Sequence, residues 1–482
     1  MNPELSTMLR SILPEICLVG LIMALLIIGM LRKPMSQRFL GWFTAITLAA
    51  IIGAAILFSN PGSQVTSVWG GMLRFDAQGF LFRILFLAGA ALTALFTCTD
   101  DTIAVKPEFY LLMTVSTLGM ALMASAEDML MLFLAIETTS FPLYVMAGAK
   151  LKDKQSTEAG IKYFLFGAMS SALMLYGFSF LYGFSGTTRL FSVYGLGITN
   201  QVPGALFVVA MLFVLAGFAF KISAVPFHFW APDVYAGAPA PVAGFLSTAS
   251  KAAGFAVLMR VLLSFFPQAG SYWVWVAAVL AVASMFLGNL AAIPQKNIKR
   301  LIAYSSIAQA GYVLIGVAAG DAAGVTAATY YLTGYLVTNL LVFGIIGLVA
   351  KIDGSSDLSA FAGLSRRSPG LAFIMLIGLL SLGGIPPFVG FFAKVLVFNS
   401  AIEKGLAWLA IVGVINSVIG LYYYLRILKV IYLDPAPEGA AKIRFNARWV
   451  TAAAICAAGI LLLGVLINPW TQAAMQSAAS LF

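Results

Sequence analysis

Charge is what this sequence has least of: 10% of its 482 residues are Asp, Glu, Lys or Arg, against roughly one quarter in a soluble domain. With 61% hydrophobic residues, that shortage excludes a soluble fold and leaves a polytopic membrane protein. Histidine occurs once, as His228, so a bis-histidine haem and a zinc motif are both excluded. Cysteine occurs three times, as Cys17, Cys98 and Cys456, each isolated in or beside an apolar run. Neither a disulfide framework nor a cysteine metal site follows from that spacing. A redox centre is therefore not expected in this chain. The net charge of +10 forms no basic face, because Lys and Arg sit in short clusters at the ends of apolar runs. That pattern is membrane topology and argues against nucleic acid as a partner.

What is present is a long succession of apolar runs of membrane-spanning length. Roughly fourteen can be placed: 12–31, 40–59, 79–98, 108–125, 128–149, 158–184, 204–236, 240–265, 272–293, 299–319, 324–350, 370–402, 406–433 and 448–468. The first is followed at once by Arg32 and Lys33 without a clear small-residue cleavage site, and reads as a retained helix. The odd-numbered connections carry the basic residues, among them Lys150, Lys152, Lys154, Lys296, Lys351, Arg366, Arg367, Lys442 and Arg444. The even-numbered ones carry little more than Arg74, Arg189 and Lys404. The positive-inside rule then places the odd connections in the cytoplasm and both termini outside.

The seventh and twelfth runs are too long for one plain span, and each has a proline break. Val225-Pro226-Phe227 has its counterpart in Pro386-Pro387-Phe388. Tyr163-x3-Gly167 recurs as Tyr330-x3-Gly334, and Tyr144-Val145-x2-Gly148 as Tyr312-Val313-x2-Gly316. The expected fold is therefore an all-α polytopic membrane protein with two five-helix repeats. Its parts are an N-terminal three-helix segment (1–100), a first repeat (108–265), a second (272–433) and a C-terminal helix and tail (448–482). An odd number of spans per unit inverts the second copy across the membrane, as in transporters with broken helices.

Ionisable side chains inside such runs are expensive, and they seek a polar interior. Glu137 lies mid-run in MLMLFLAIETTSFPLYVMAG; Lys221 immediately precedes the first break; Lys251 lies eleven residues into the eighth run; Lys394 follows the second break. Lys162, about a turn into the sixth run, either reaches the surface by its long stem or joins the buried row. His228 is either a relay group or a histidine satisfied at the break. Lysine suits proton relay because burial and a nearby carboxylate push its proton affinity in opposite directions. Tyr304, Ser305, Ser306, Gln309 and Asn339 add a polar axis, or are helix–helix glue. Glu127 and Asp128 are placed to favour a helix N-terminus, and Arg83, Arg426 and Lys429 to snorkel.

The stretches E137-TTSFPLY, E158-AGIKYFLFGAMSSA, F220-KISAVPFHFWAPDVYAGAPAPVAGFLSTASK, N297-IKRLIAYSSIAQAGY and GGIPPFVGFFAK394 run across most of the chain. With them the sequence resembles the antiporter-like membrane subunits of proton-pumping NADH:quinone oxidoreductase, respiratory complex I. It also resembles the related subunits of multisubunit cation/proton antiporters. Lysine at 394, no long segment after the last span and GLYYYLRI at 420–427 resemble the paralogue nearest the quinone-side arm. The resemblance implies proton translocation across a bacterial inner membrane, driven by quinone reduction elsewhere in the complex. Glu137 would pair with Lys221, Lys162 would modulate that pair, Lys251 would be the central carrier, His228 a connector and Lys394 the terminal carrier. NADH, FMN, iron–sulfur clusters and quinone would belong to partner subunits, with no cofactor in this chain. The neighbouring antiporter-like subunit, the small quinone-side subunits and the lipid bilayer would be its partners. A cation (Na⁺)/proton antiporter subunit is the alternative, and a scaffold of buried charges a more distant one.

Overall fold

The computed structural model describes residues 3–31, 37–190, 204–266, 270–436, 443 and 445–482. Arg32, Lys33, Lys442 and Arg444, counted above among the basic connections, lie outside them.

Helices make up almost everything described, as the apolar runs require, since backbone polar groups in lipid must pair within their own segment. Leaving out single-turn pieces, they are α1 (Pro3–Ser11), α2 (Leu13–Met30), α3 (Gln37–Phe58), α4 (Ala77–Phe96), α5 (Pro107–Ser125), α6 (Met129–Ala147) and α7 (Lys154–Ser185). Then follow α8 (Gly204–Lys221), α9 (Trp230–Gly237), α10 (Ala240–Phe245), α11 (Lys251–Phe265), α12 (Gly270–Ala292), α13 (Ile298–Ala319) and α14 (Ala322–Asp353). The chain closes with α15 (Pro369–Gly383), α16 (Val389–Glu403), α17 (Ala407–Tyr432), α18 (Ala447–Val465) and α19 (Ile467–Ala479). Among the described residues, 12 helices are long and apolar enough to cross a membrane by themselves. The seventh and twelfth runs are each divided, into α8 with α9 and into α15 with α16.

The boundaries follow from the few polar residues available. Asp76, Asp128, Asp153, Asn297, Asp321 and Asn446 each cap a helix by accepting a backbone N–H from its first turn. Asp128 thus takes the helix-start role expected of it. Glu127 instead lies 3.8 Å from Arg74. A small hairpin that the sequence reading did not foresee, Thr66–Val68 paired antiparallel with Leu73–Phe75, fills the connection between α3 and α4.

Burial sorts the helices into an inner and an outer set. Apolar windows of 240–263, 298–319 and 322–353 are 100%, 94% and 89% buried, whereas α2 is 28% buried. The inner set holds Lys251 and the polar residues of α13 and α14. Arg83, expected to reach out to the surface, is instead buried and sits 2.7 Å from Glu15 on α2. Arg260 is likewise buried, forked onto both carboxylate oxygens of Asp76.

Candidate functional site

Both interrupted helices end where a lysine begins to matter. Lys221 is the last residue of α8, and the chain then turns through cis Val225-Pro226 into α9. Its Nζ donates to the Ser140 hydroxyl of α6 at 2.8 Å. Its stem lies on Gly254 of α11, where a Cβ would come within 3.0 Å of the lysine Cγ. Gly254 is three residues beyond Lys251 and so shares a helix face with it.

The expected Glu137–Lys221 ion pair is not closed. No carboxylate oxygen of Glu137 lies within salt-bridge distance of Lys221; the carboxylate accepts from Ser171 at 2.5 Å, while Lys221 is bonded to Ser140. Beside them lies a cavity of about 10 Å³, lined by Ser140, Tyr144, Ser171, Gly217 and Lys221. That is on the scale of one water molecule.

Lys251 follows a single π-helical turn, Leu246–Ser250, a feature frequent at functional sites and invisible in the sequence. Its Nζ donates to the carbonyl oxygen of Ser306 at 2.8 Å and to the hydroxyl of the same residue at 3.1 Å. The π turn also carries Ser247, which accepts from the Asn339 amide at 2.7 Å.

Lys394 reaches back across the second break, which holds cis Pro386-Pro387. Its Nζ donates to the carbonyls of Leu382 at 3.2 Å and Gly383 at 3.0 Å, and to the Ser417 hydroxyl at 2.9 Å. The two carbonyls are the last of α15, unpaired within that helix and at the negative end of its dipole. The ammonium also lies 4.8 Å from the centre of the Tyr312 ring, a cation–π distance. Gly384, with φ of +83°, supplies the left-handed turn and the space; a Cβ there would meet Lys394 Cδ at 2.9 Å.

The remaining predicted residues are placed apart from this row. Lys162 donates to Glu158 at 2.6 Å and Asp233 at 2.7 Å, and Asp233 also binds Arg300 at 2.8 Å. This half-exposed cluster joins the second and third turns of α7 to the first turns of α9 and α13, and it does not touch Glu137 or Lys221. His228 is buried in the turn before α9 beside Phe229, with no hydrogen-bond partner on Nδ1 and no bond to either lysine. Sequence reasoning missed Ser140, Ser171, Ser417 and Asp233, because a hydroxyl or a carboxylate near a helix end carries no periodic signal.

Two interrupted helices whose cut ends surround buried ammonium groups define the class: a polytopic helical membrane protein with a charged interior axis. Within that class the chain belongs to the NADH:quinone oxidoreductase/Mrp antiporter transmembrane family, whose model matches residues 126–420. It is 42% identical over 472 residues to NADH-quinone oxidoreductase subunit N of Moorella thermoacetica, covering 97% of this chain and 98% of that one. It is 40% identical over 484 residues to subunit N of Erythrobacter litoralis, covering 99% of each. Among solved structures it is similar to a chain of respiratory complex I from Thermus thermophilus, with a TM-score of 0.79 and 32% identity over 95% of this chain and 98% of that one. The Mrp complex from Dietzia sp. shares the fold, with a TM-score of 0.84 at 22% identity over 98% of this chain and 97% of that one.

Proposed function

We propose that this chain is the subunit-N-type membrane subunit of a bacterial NADH:quinone oxidoreductase and carries protons across the inner membrane along Lys221, Lys251 and Lys394. The observation that carries the reading is the company these ammonium groups keep. Each is buried, and each is held by hydroxyls and carbonyls with no carboxylate within ion-pair distance. A purely structural lysine would be expected to have its counter-charge beside it, as Arg260 has Asp76 and Arg83 has Glu15. A lysine without one can exist with or without its proton, and a carboxylate that approaches or withdraws shifts the balance. Glu137 is the group placed to do this. Rotation of its side chain from Ser171 toward Ser140 would close the pair with Lys221, and a water in the adjoining cavity would bridge the gap when the pair is open.

His228 and Lys162 enter as accessory groups, His228 through water and Lys162 by fixing α9 through Asp233. The two broken helices belong to two five-helix units of opposite orientation, with the odd connections facing the cytoplasm. No redox chemistry occurs in this chain; NADH, FMN, iron–sulfur clusters and quinone act in partner subunits, and quinone reduction there drives the lysine row electrostatically. The shared fold with the Mrp complex supports a second reading, a subunit of a cation/proton antiporter.

Membranes carrying Lys251→Ala separate these readings. NADH-driven proton uptake into inverted vesicles is expected to collapse while the complex still assembles on a native gel. Unchanged uptake would remove the lysine row from the path.

A further inference from the structure

Gln309 sits between the Lys251 and Lys394 seats with its amide fully engaged. Its Nε2 donates to the Leu382 carbonyl at 3.1 Å and to the Tyr424 hydroxyl at 3.0 Å, and its Oε1 accepts from the Tyr331 hydroxyl. The orientation is fixed by chemistry, since a carbonyl oxygen accepts only and must therefore face the NH₂ end. On one side the Leu382 carbonyl also receives Lys394 Nζ. On the other, Tyr424 accepts from Gln309 and shares a hydrogen bond of 2.5 Å with the Ser305 hydroxyl, in which either oxygen can donate. Ser306, the next residue, holds Lys251. A buried hydrogen-bond chain thus runs from the neighbour of one lysine's acceptor to the seat of the other, with an amide in the middle.

A proton hops along such a chain only if every member can take one proton on one side and release another on the opposite side. A hydroxyl does this. A carboxamide and a backbone carbonyl do not at ordinary pH, because the amide nitrogen has no free lone pair and the carbonyl oxygen no proton to release. We infer that Gln309 is a positioning residue that acts as a proton barrier, engaging a Tyr424 lone pair with an amide proton that cannot be passed on, so that the Lys251 and Lys394 sites influence each other without conducting through Tyr424. This rests on the proton-path reading above. Transfer between the sites then requires Tyr424 to leave Gln309, or water to enter beside it, which makes passage conditional.

The test replaces the amide in the whole complex reconstituted in proteoliposomes. Gln309→Glu and Gln309→His introduce groups that both accept and release a proton; Gln309→Met fills similar space and does neither. Passive proton conductance is measured under an imposed potential without NADH, and proton yield per NADH during turnover. Both titratable variants are expected to raise passive conductance severalfold and to lose proton yield while electron transfer continues, and Gln309→Met is expected not to leak. Conductance and yield unchanged in the titratable variants would overturn the barrier, as would an equal leak in Gln309→Met, which would assign the effect to packing. Should Gln309→Glu not assemble, the histidine variant decides by the same criterion. Lys251→Ala in the same vesicles separates the two ideas: pumping that survives there sinks the proton path itself, whereas pumping lost there with no leak at Gln309 sinks only the barrier.

Discussion

The Lys251 ammonium and Ser306 make two bonds with one another, one to the carbonyl oxygen at 2.8 Å and one to the hydroxyl at 3.1 Å. Because one of them is to the backbone, the hydroxyl can be removed without abandoning the charge. Ser306→Ala is expected to lose one hydrogen bond to a charged group, worth about 1.5–3 kcal/mol, and to slow pumping without abolishing it. Lys251→Arg is expected to be nearly as damaging as Lys251→Ala, since a guanidinium stays protonated. Proton yield per NADH in vesicles ranks the three; an arginine variant that pumps like the unaltered complex would refute a carrier role.

Glu137 and Lys221 bond different hydroxyls, Ser171 and Ser140, so their hydrogen-bonding and charge contributions can be dissected. Glu137→Gln keeps an acceptor for Ser171 but removes the charge that acts on Lys221. Assembly is expected to stay at the unaltered level while pumping falls. Among the described residues Ser140 is the one hydrogen-bond partner of the Lys221 ammonium, and Ser140→Ala removes it at a cost of about 1–3 kcal/mol. If Glu137→Gln pumps normally on a correctly assembled complex, the carboxylate is no switch.

Gly384 combines a left-handed backbone with close contact to Lys394, whose Cδ lies 2.9 Å from where a Cβ would stand. Gly384→Ala therefore meets two obstacles, about 1–2 kcal/mol of backbone strain and a displaced lysine. Assembly on a native gel and proton yield per NADH are both expected to drop, and a second change that shortens the side chain, Lys394→Ala, is expected to relieve the part of the assembly defect due to the clash but not the pumping defect.

Buried pairs and surface pairs are expected to differ sharply in stability. Asp76 and Arg260 are both fully buried, so Asp76→Asn leaves a guanidinium without counter-charge, a cost of about 3–5 kcal/mol. Lys162 is partly exposed in its pairs with Glu158 and Asp233, and Lys162→Ala is expected to cost under about 1 kcal/mol. Thermal unfolding of the detergent-solubilised complex, followed by the loss of this subunit on a native gel, measures both. Equal destabilisation would mean that Lys162 is more deeply engaged than its geometry indicates.

The amino-acid sequence alone determined the apolar spans, the two proline breaks and the identity of the buried lysines. Each is a one-dimensional signal: run length against bilayer thickness, a missing N–H at proline, a charge where charge is costly. The outer loops were less legible, and the hairpin at 66–75 is too short to show an alternating pattern. Partnerships were decided by the tertiary structure. Arg83 and Lys162 both looked like stems reaching for water, yet the tertiary fold gave one a buried Glu15 on α2 and left the other at a half-exposed cluster. Glu137 and Lys221 each bond a serine, Ser171 on α7 and Ser140 on α6, rather than one another. The π turn before Lys251 and the seating of Lys394 on the final carbonyls of α15 arise from how helices meet. Which residues must be polar is a property of each span by itself; which of them touch depends on the angle and register of spans far apart in the chain.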